Sequence, residues 1–154
     1  MYITVAEANE YFNTNRLYKY AWLEATTANK TLALQEATDR IDRLRFSGWM
    51  VADDQGLEFP RYYDFEEGPD GTEEIPASVE YATAEIALAL LDGVDPELEF
   101  ENMNVSSTAY SSVRMSRNMQ DIPAHTAAGI PSALAWRYLL PYLSPARPIK
   151  LNRV

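Results

Sequence analysis

Cysteine is absent from the 154 residues, so disulfides, thiolate metal sites and cysteine nucleophiles are excluded. Histidine occurs once, at His125, which rules out a multi-histidine metal cage. The longest weakly charged apolar run, Ala82 to Leu91, is about half the ~20 residues that a membrane-spanning helix needs. Bases are scarce in the middle of the chain, where Arg61 stands alone among sixteen acids between residues 51 and 101. Phosphate binding needs clustered lysine and arginine, so this segment argues against general nucleic-acid binding. Only the last third could contact phosphates, through Arg114, Arg117, Arg147, Lys150 and Arg153. Met1-Tyr2-Ile3-Thr4 leads directly into an amphipathic pattern with no signal-peptide character, and a soluble, intracellular protein is the expectation.

Hydrophobic residues make up 47% of the chain, enough for the core of one compact domain. The net charge of −10 is unevenly spread: residues 1–50 are neutral, residues 51–101 carry −15 and residues 102–154 carry +5. Such a dipolar molecule can associate head to tail, or can simply carry a solvated acidic loop and a basic tail.

The periodicity predicts a mainly α protein, a small helical bundle. Thr4 and Glu7 have the spacing of a capping box and open a first helix to about Phe12. A short helix around Tyr18 to Ala25 carries Trp22 as a core anchor. Thr26-Thr27 starts a third helix to about Phe46, with Leu34, Ala37, Ile41 and Leu44 on one face and Glu36 with Arg40 and Asp39 with Arg43 at i,i+4. Residues 47–75 read as a long, irregular, aromatic and acidic loop punctuated by Gly56, Pro60, Gly68, Pro69 and Gly71, and its aromatics, Trp49, Phe59, Tyr62, Tyr63 and Phe65, need somewhere to pack. A helix from Pro76, as its first residue, to a Gly93 terminator is apolar almost all round, with Glu85 the lone charge between Ala82 and Leu91, and so should be buried on several sides. Small and β-favouring residues at 102–121 suggest a β-hairpin or extended arm. A last helix opens at Pro131 and is stopped by Pro141. The expected organisation is one helical domain over 1–143, arm included, and an extended basic tail over 144–154 held out of helix by Pro145 and Pro148.

Catalytic constellations are missing. His125 lies in a small-residue loop far in sequence from any carboxylate but Asp121, and the serines at 106, 107, 111 and 112 form no nucleophile elbow. The acidic run Asp64, Glu66, Glu67, Asp70, Glu73, Glu74 lacks the spacing of a calcium loop and reads as a solvated face. No glycine-rich phosphate cradle follows a strand. The expectation is a non-enzymatic protein without metal or cofactor, and the exposed aromatics, arm and proline-bearing tail suggest an assembly component.

Several segments together carry a resemblance. They are Tyr2-Ile3-Thr4-Val5-Ala6-Glu7-Ala8, Ala33 to Asp42 (with Glu-Ala-Thr-x-x-Ile-Asp), Phe46-Ser47-Gly48, Gln55-Gly56-Leu57-Glu58-Phe59-Pro60-Arg61, Leu90-Leu91-Asp92-Gly93 and Leu140-Pro141-Tyr142-Leu143. In order and spacing the chain resembles small tailed-phage head–tail connector (head-completion) proteins, a family labelled DnaT-like single-stranded-DNA-binding. The resemblance implies a structural virion protein: a ring of twelve copies at the head–tail interface, bound to the portal and to a tail-proximal protein, through which genomic DNA passes without specific binding. Charge and proline placement then suggest three contact regions. The tail residues Arg147, Pro148, Ile149, Lys150, Leu151 and Arg153 would dock on the portal or a neighbour. The acidic residues Asp64, Glu66, Glu67, Asp70, Glu73 and Glu74 would face the lumen or an adjacent subunit. Tyr110, Val113, Arg114, Met115 and Arg117 of the arm would reach the tail or a neighbour. The family label implies the alternative, a replication protein that binds single-stranded DNA. That function needs a basic groove with stacking aromatics, whereas Tyr62, Tyr63 and Phe65 stand among carboxylates.

Overall fold

A computed structural model describes residues 1–62, 64–65, 68–69, 74–103, 107–110, 113–116 and 122–144. The fold is mainly helical. Helices α1 (Val5–Asn15), α2 (Tyr20–Glu24), α3 (Thr27–Asp42), α4 (Ala77–Leu91), α5 (Pro96–Met103), α6 (Ala124–Ala127) and α7 (Ala133–Leu139) are joined by three two-stranded antiparallel ribbons. These ribbons pair β1 (Trp49–Met50) with β2 (Arg61–Tyr62), β3 (Asp64–Phe65) with β4 (Gly68–Pro69), and β5 (Ser107–Tyr110) with β6 (Val113–Ser116).

Helix α4 is the axis of the bundle. Every residue from Ala82 to Leu88 is buried, and α4 packs on α1, α2, α3 and α7. Ala82, Ala84 and Ala87 let neighbouring backbones approach closely, while Val79 and Ile86 fill the space between them. Leu34, Ala37 and Ile41 of α3 supply the facing stripe and are fully buried, as their spacing predicts. The helix ends follow local rules. Thr4 and Glu7 close a capping box on α1. At the end of α4, Gly93 N–H donates to the Leu90 carbonyl and Val94 N–H to that of Ala89, the Schellman pattern that requires the positive φ of 83° at Gly93.

Four sequence expectations are corrected. Helix α3 stops at Asp42 rather than near Phe46, because Leu44 turns back onto the Ile41 carbonyl and Phe46 is drawn into the core, where it bridges to Leu143. Pro76 is the N-cap of α4 and not its first residue. The stretch 47–75 is not irregular throughout, since it contains β1 to β4. Trp49, expected to find packing, remains 52% exposed. The hairpin expected within 102–121 is present as β5–β6, with Ser107 opposite Ser116 and Tyr110 opposite Val113.

The segment around Phe59-Pro60-Arg61 is fixed by packing on one side and by a buried arginine on the other. Phe59 is buried with its ring edge-on to Phe46 at 4.7 Å, and the peptide bond to Pro60 is cis. Arg61 lies largely buried and works as a clamp: Nε donates to the Ser47 carbonyl and Nη2 to the Gly48 carbonyl, both at 2.9 Å, while Nη1 meets the Glu58 carboxylate. A planar fork is needed to hold two successive carbonyls and a carboxylate together, and a lysine ammonium cannot reproduce it. Arg61→Lys should therefore lower the unfolding free energy by about 2 kcal/mol, the cost of hydrogen bonds lost to a charged group. Urea denaturation of the two chains measures it.

Candidate nucleic-acid interface

Helix α1 ends at Asn15, and Arg16 continues in extended conformation into the link to α2. Lys19 fixes that link. Its ammonium donates to the Phe12 carbonyl at 2.9 Å and to Asn13 Oδ1 at 2.8 Å, placing a cation at the negative end of the α1 dipole. Trp22 anchors α2: its ring is buried against Phe12, with centroids 4.8 Å apart, and its Nε1–H donates to Asn9 Oδ1 at 2.8 Å. With Trp22 turned inward, its neighbours are left outside. Tyr18 and Tyr20 are each 69% exposed, and Leu17 and Leu23 are exposed beside them.

Beneath this link lies Glu85 of α4, 2% exposed. The Tyr11 hydroxyl donates to Glu85 Oε1 at 2.8 Å, and Arg16 Nε stands 3.1 Å from the same oxygen. That nitrogen is shut off from solvent, yet its N–H is not aligned for a hydrogen bond, so the contact with Arg16 is an ion pair without a directed bond. Burial pushes the Glu85 carboxyl above its ordinary value, opposed in part by the Tyr11 hydroxyl and the Arg16 charge. Burial, together with bonds to Tyr138 and Glu85, drives the Tyr11 phenol well above its usual range, so it remains a donor. Tyr11 also stacks on Tyr81 with centroids 4.6 Å apart, and Tyr81 meets Tyr138 edge-on at 5.9 Å, which ties α1, α4 and α7 into one polar-aromatic layer.

A cleft of about 240 Å³ opens at this link, and its lining includes Arg16, Tyr18, Lys19, Tyr20, Glu85 and Asp92 beside small and apolar residues of α2, α4 and the turn before α7. It combines two cations, two carboxylates and two exposed phenol rings. The cleft can hold a flat ring against tyrosine while charged groups meet its polar edge. Sequence reasoning missed it by averaging charge over fifty neutral residues. The signal was present in Arg16-Leu17-Tyr18-Lys19-Tyr20, where bases and aromatics alternate.

The residues expected to make contacts lie elsewhere. Glu66, Glu67, Asp70 and Glu73 of the acidic run, Arg117 of the arm, and Arg147, Pro148, Ile149, Lys150, Leu151 and Arg153 of the tail are outside the described residues. Asp64 sits in β3, Tyr110 in β5, and Val113, Arg114 and Met115 in β6, placed by strand register, while Glu74 is exposed just before α4. Glu74 is not among the residues that line the cleft. His125, expected in a loop, lies in α6 with Nδ1 2.9 Å from the Ile130 carbonyl, a bond that closes the end of that short helix.

The raised carboxyl of Glu85 has a definite sign in stability. A carboxyl whose folded pKa exceeds its unfolded one binds protons more tightly when folded. Its contribution is complete below the unfolded value and is lost as pH rises through the folded value. Glu85→Gln cannot titrate. Relative to that variant, the natural chain should lose unfolding free energy as pH rises from about 4 towards neutrality. Paired thermal or urea melts over that range provide the measurement, and parallel curves would contradict the assignment.

Residues 1–117, about three quarters of the chain, match the family described as Putative DnaT-like ssDNA binding protein. No curated protein and no solved structure matches the chain. The matched span contains α1 to α5 and, with the Arg16–Tyr20 link and α4, most of the cleft. The chain belongs to the DnaT-like single-stranded-DNA-binding family.

Proposed function

We propose that the protein binds single-stranded DNA through the α1–α2 link, without carrying out a reaction on it. One observation carries this reading: the alternating bases and exposed tyrosines of residues 16–20 share a single cleft, inside the span that matches the family. Single-strand binders combine cations that follow the backbone with aromatic faces on which bases stack, and stacking contributes about 1–3 kcal/mol per base. The acidic composition that argued against this function lies mostly between residues 51 and 101, while residues 1–50 are neutral. Here stacking must dominate. Arg16 is paired with Glu85, and Asp92 also lines the cleft, so among the described lining residues at most two cations, Arg16 and Lys19, face phosphate.

The consequence is measurable. In fluorescence anisotropy with a labelled oligothymidylate, log affinity should fall with log salt at a slope no steeper than about −1.4, the value for two phosphates on a single strand. Tyr18→Ala and Tyr20→Ala should each weaken binding by roughly five- to a hundredfold. Absence of binding at low salt would overturn the reading.

A second reading, a head–tail adaptor of a tailed phage, is supported by apolar side chains exposed on separate elements: Leu17 before α2, Leu32 on α3, Trp49 on β1 and Leu140 after α7. It would place the chain in the virion neck with the portal, a tail protein and other copies of itself as partners. The mass of a mixture with the cognate portal ring distinguishes the readings, since a discrete multi-copy complex with no oligonucleotide binding would favour the adaptor.

A further inference from the structure

Resting on the single-strand reading, we infer that the cleft between the α1–α2 link and α4 is a base-selective subsite that takes a guanine. The argument begins with size. At about 240 Å³ the cleft falls below the ~300–1,000 Å³ of sites for drug-sized ligands, which suits a single ring system better than a whole nucleotide. Charge narrows the ligand further. A phosphate drawn to Arg16 and Lys19 would meet Glu85 and Asp92, and a cation drawn to the carboxylates would meet Arg16 and Lys19. A neutral, planar molecule with donors along one edge and acceptors along another satisfies both sets.

Among the bases, guanine alone presents two adjacent donors, N1–H and the N2 amino group, together with two adjacent acceptors, O6 and N7. A carboxylate accepts from the first pair, and a guanidinium or ammonium donates to the second. Thymine offers one donor between two acceptors, and adenine and cytosine offer an amino group without a second donor beside it. Tyr18 and Tyr20 supply faces for stacking. The site also has a reason to discriminate. The Glu85 carboxylate and Arg16 Nε are already enclosed and held against each other and Tyr11, so a base must match the groups that stay open, the exposed Asp92 carboxylate and the rest of the partly exposed Arg16 guanidinium.

The test compares a labelled thymidine oligonucleotide with versions carrying one central guanine, adenine or inosine, titrated against the full chain by anisotropy. Guanine should tighten binding about tenfold over thymine or adenine. Inosine, which lacks the N2 amino group, should give up most of that gain. Asp92→Asn, at an exposed helix end, should bring the guanine-containing and the thymidine oligonucleotides closer in affinity. Glu85→Gln should abolish the preference, with its melting curve confirming the fold. Equal affinity for all bases, or a preference untouched by Asp92→Asn, would overturn the guanine subsite and leave single-strand binding standing. Failure to bind any of the oligonucleotides would overturn both.

Discussion

A carboxylate buried on the central helix governs how the rest of this bundle can be arranged. Helix α4 is enclosed along two turns, and Glu85 sits within that enclosed stretch. An isolated buried charge costs several kcal/mol, so the fold must bring it partners or keep it protonated. Tyr11 reaches it from α1, and Arg16 reaches it from just beyond the end of that helix. The position of the α1–α2 link follows, because Arg16 must remain close enough to α4 to pair. The link therefore runs over a polar floor, with its tyrosines and Lys19 at the rim. An alanine at 85 would leave Tyr11 and Arg16 without their shared partner and would remove the polar floor of the cleft.

The opposite end of the bundle is held by backbone groups and aromatic edges. After α3, the chain at Arg45–Ser47 runs beside the closing turn at 140–144: Ser47 N–H donates to the Tyr142 carbonyl at 2.8 Å and Ser144 N–H to the Arg45 carbonyl at 2.9 Å. Phe59 fills the space below, edge-on to Tyr2, Phe46 and Tyr142. Arg61 then fixes the strand that follows. Residues about a hundred positions apart in sequence are thereby joined in one unit, which keeps the closing turn against the core. Arg40 acts similarly on the flank, bridging Glu36, Glu97 and the Gly129 carbonyl. The carboxylates are largely exposed, so those ion pairs add at most about 1 kcal/mol each and mainly position α5 and α6.

Where a residue's own neighbours determine its conformation, the sequence was readable. Thr4 with Glu7, the α3 stripe at Leu34, Ala37 and Ile41, the all-round apolar α4 and its Gly93 ending depend on spacing and capping and are found as expected, whereas Leu44, the fourth member of the stripe, lies past the helix end. Helix α5 was equally readable but overlooked: Asp95 Oδ1 accepts from the backbone N–H groups of Glu97 and Leu98, and Pro96 takes the first helical position. The premature end of α3 could not be read locally, because Phe46 leaves the helix for contacts with Phe59 and Leu143, distant in sequence. The cleft lay between these cases. Its aromatic–basic alternation is local, whereas its two carboxylates come from α4 and the end of α4, some seventy residues further on.

Segment charge is consequently a poor guide to what this surface can bind. A net −15 over residues 51–101 implies long-range repulsion of a polyanion, but at physiological salt that field is screened beyond about 8 Å. Within that distance the cleft presents charges of both signs and two aromatic faces. Repulsion at range and stacking at contact act on different quantities. The first slows encounter and disfavours nonspecific wrapping of duplex, whereas the second sets how long an unstacked base is retained. A binder built this way would discriminate against duplex DNA, whose bases are already stacked and whose phosphates dominate its affinity for proteins. The acidic surface would then sharpen selectivity for single strands rather than oppose it.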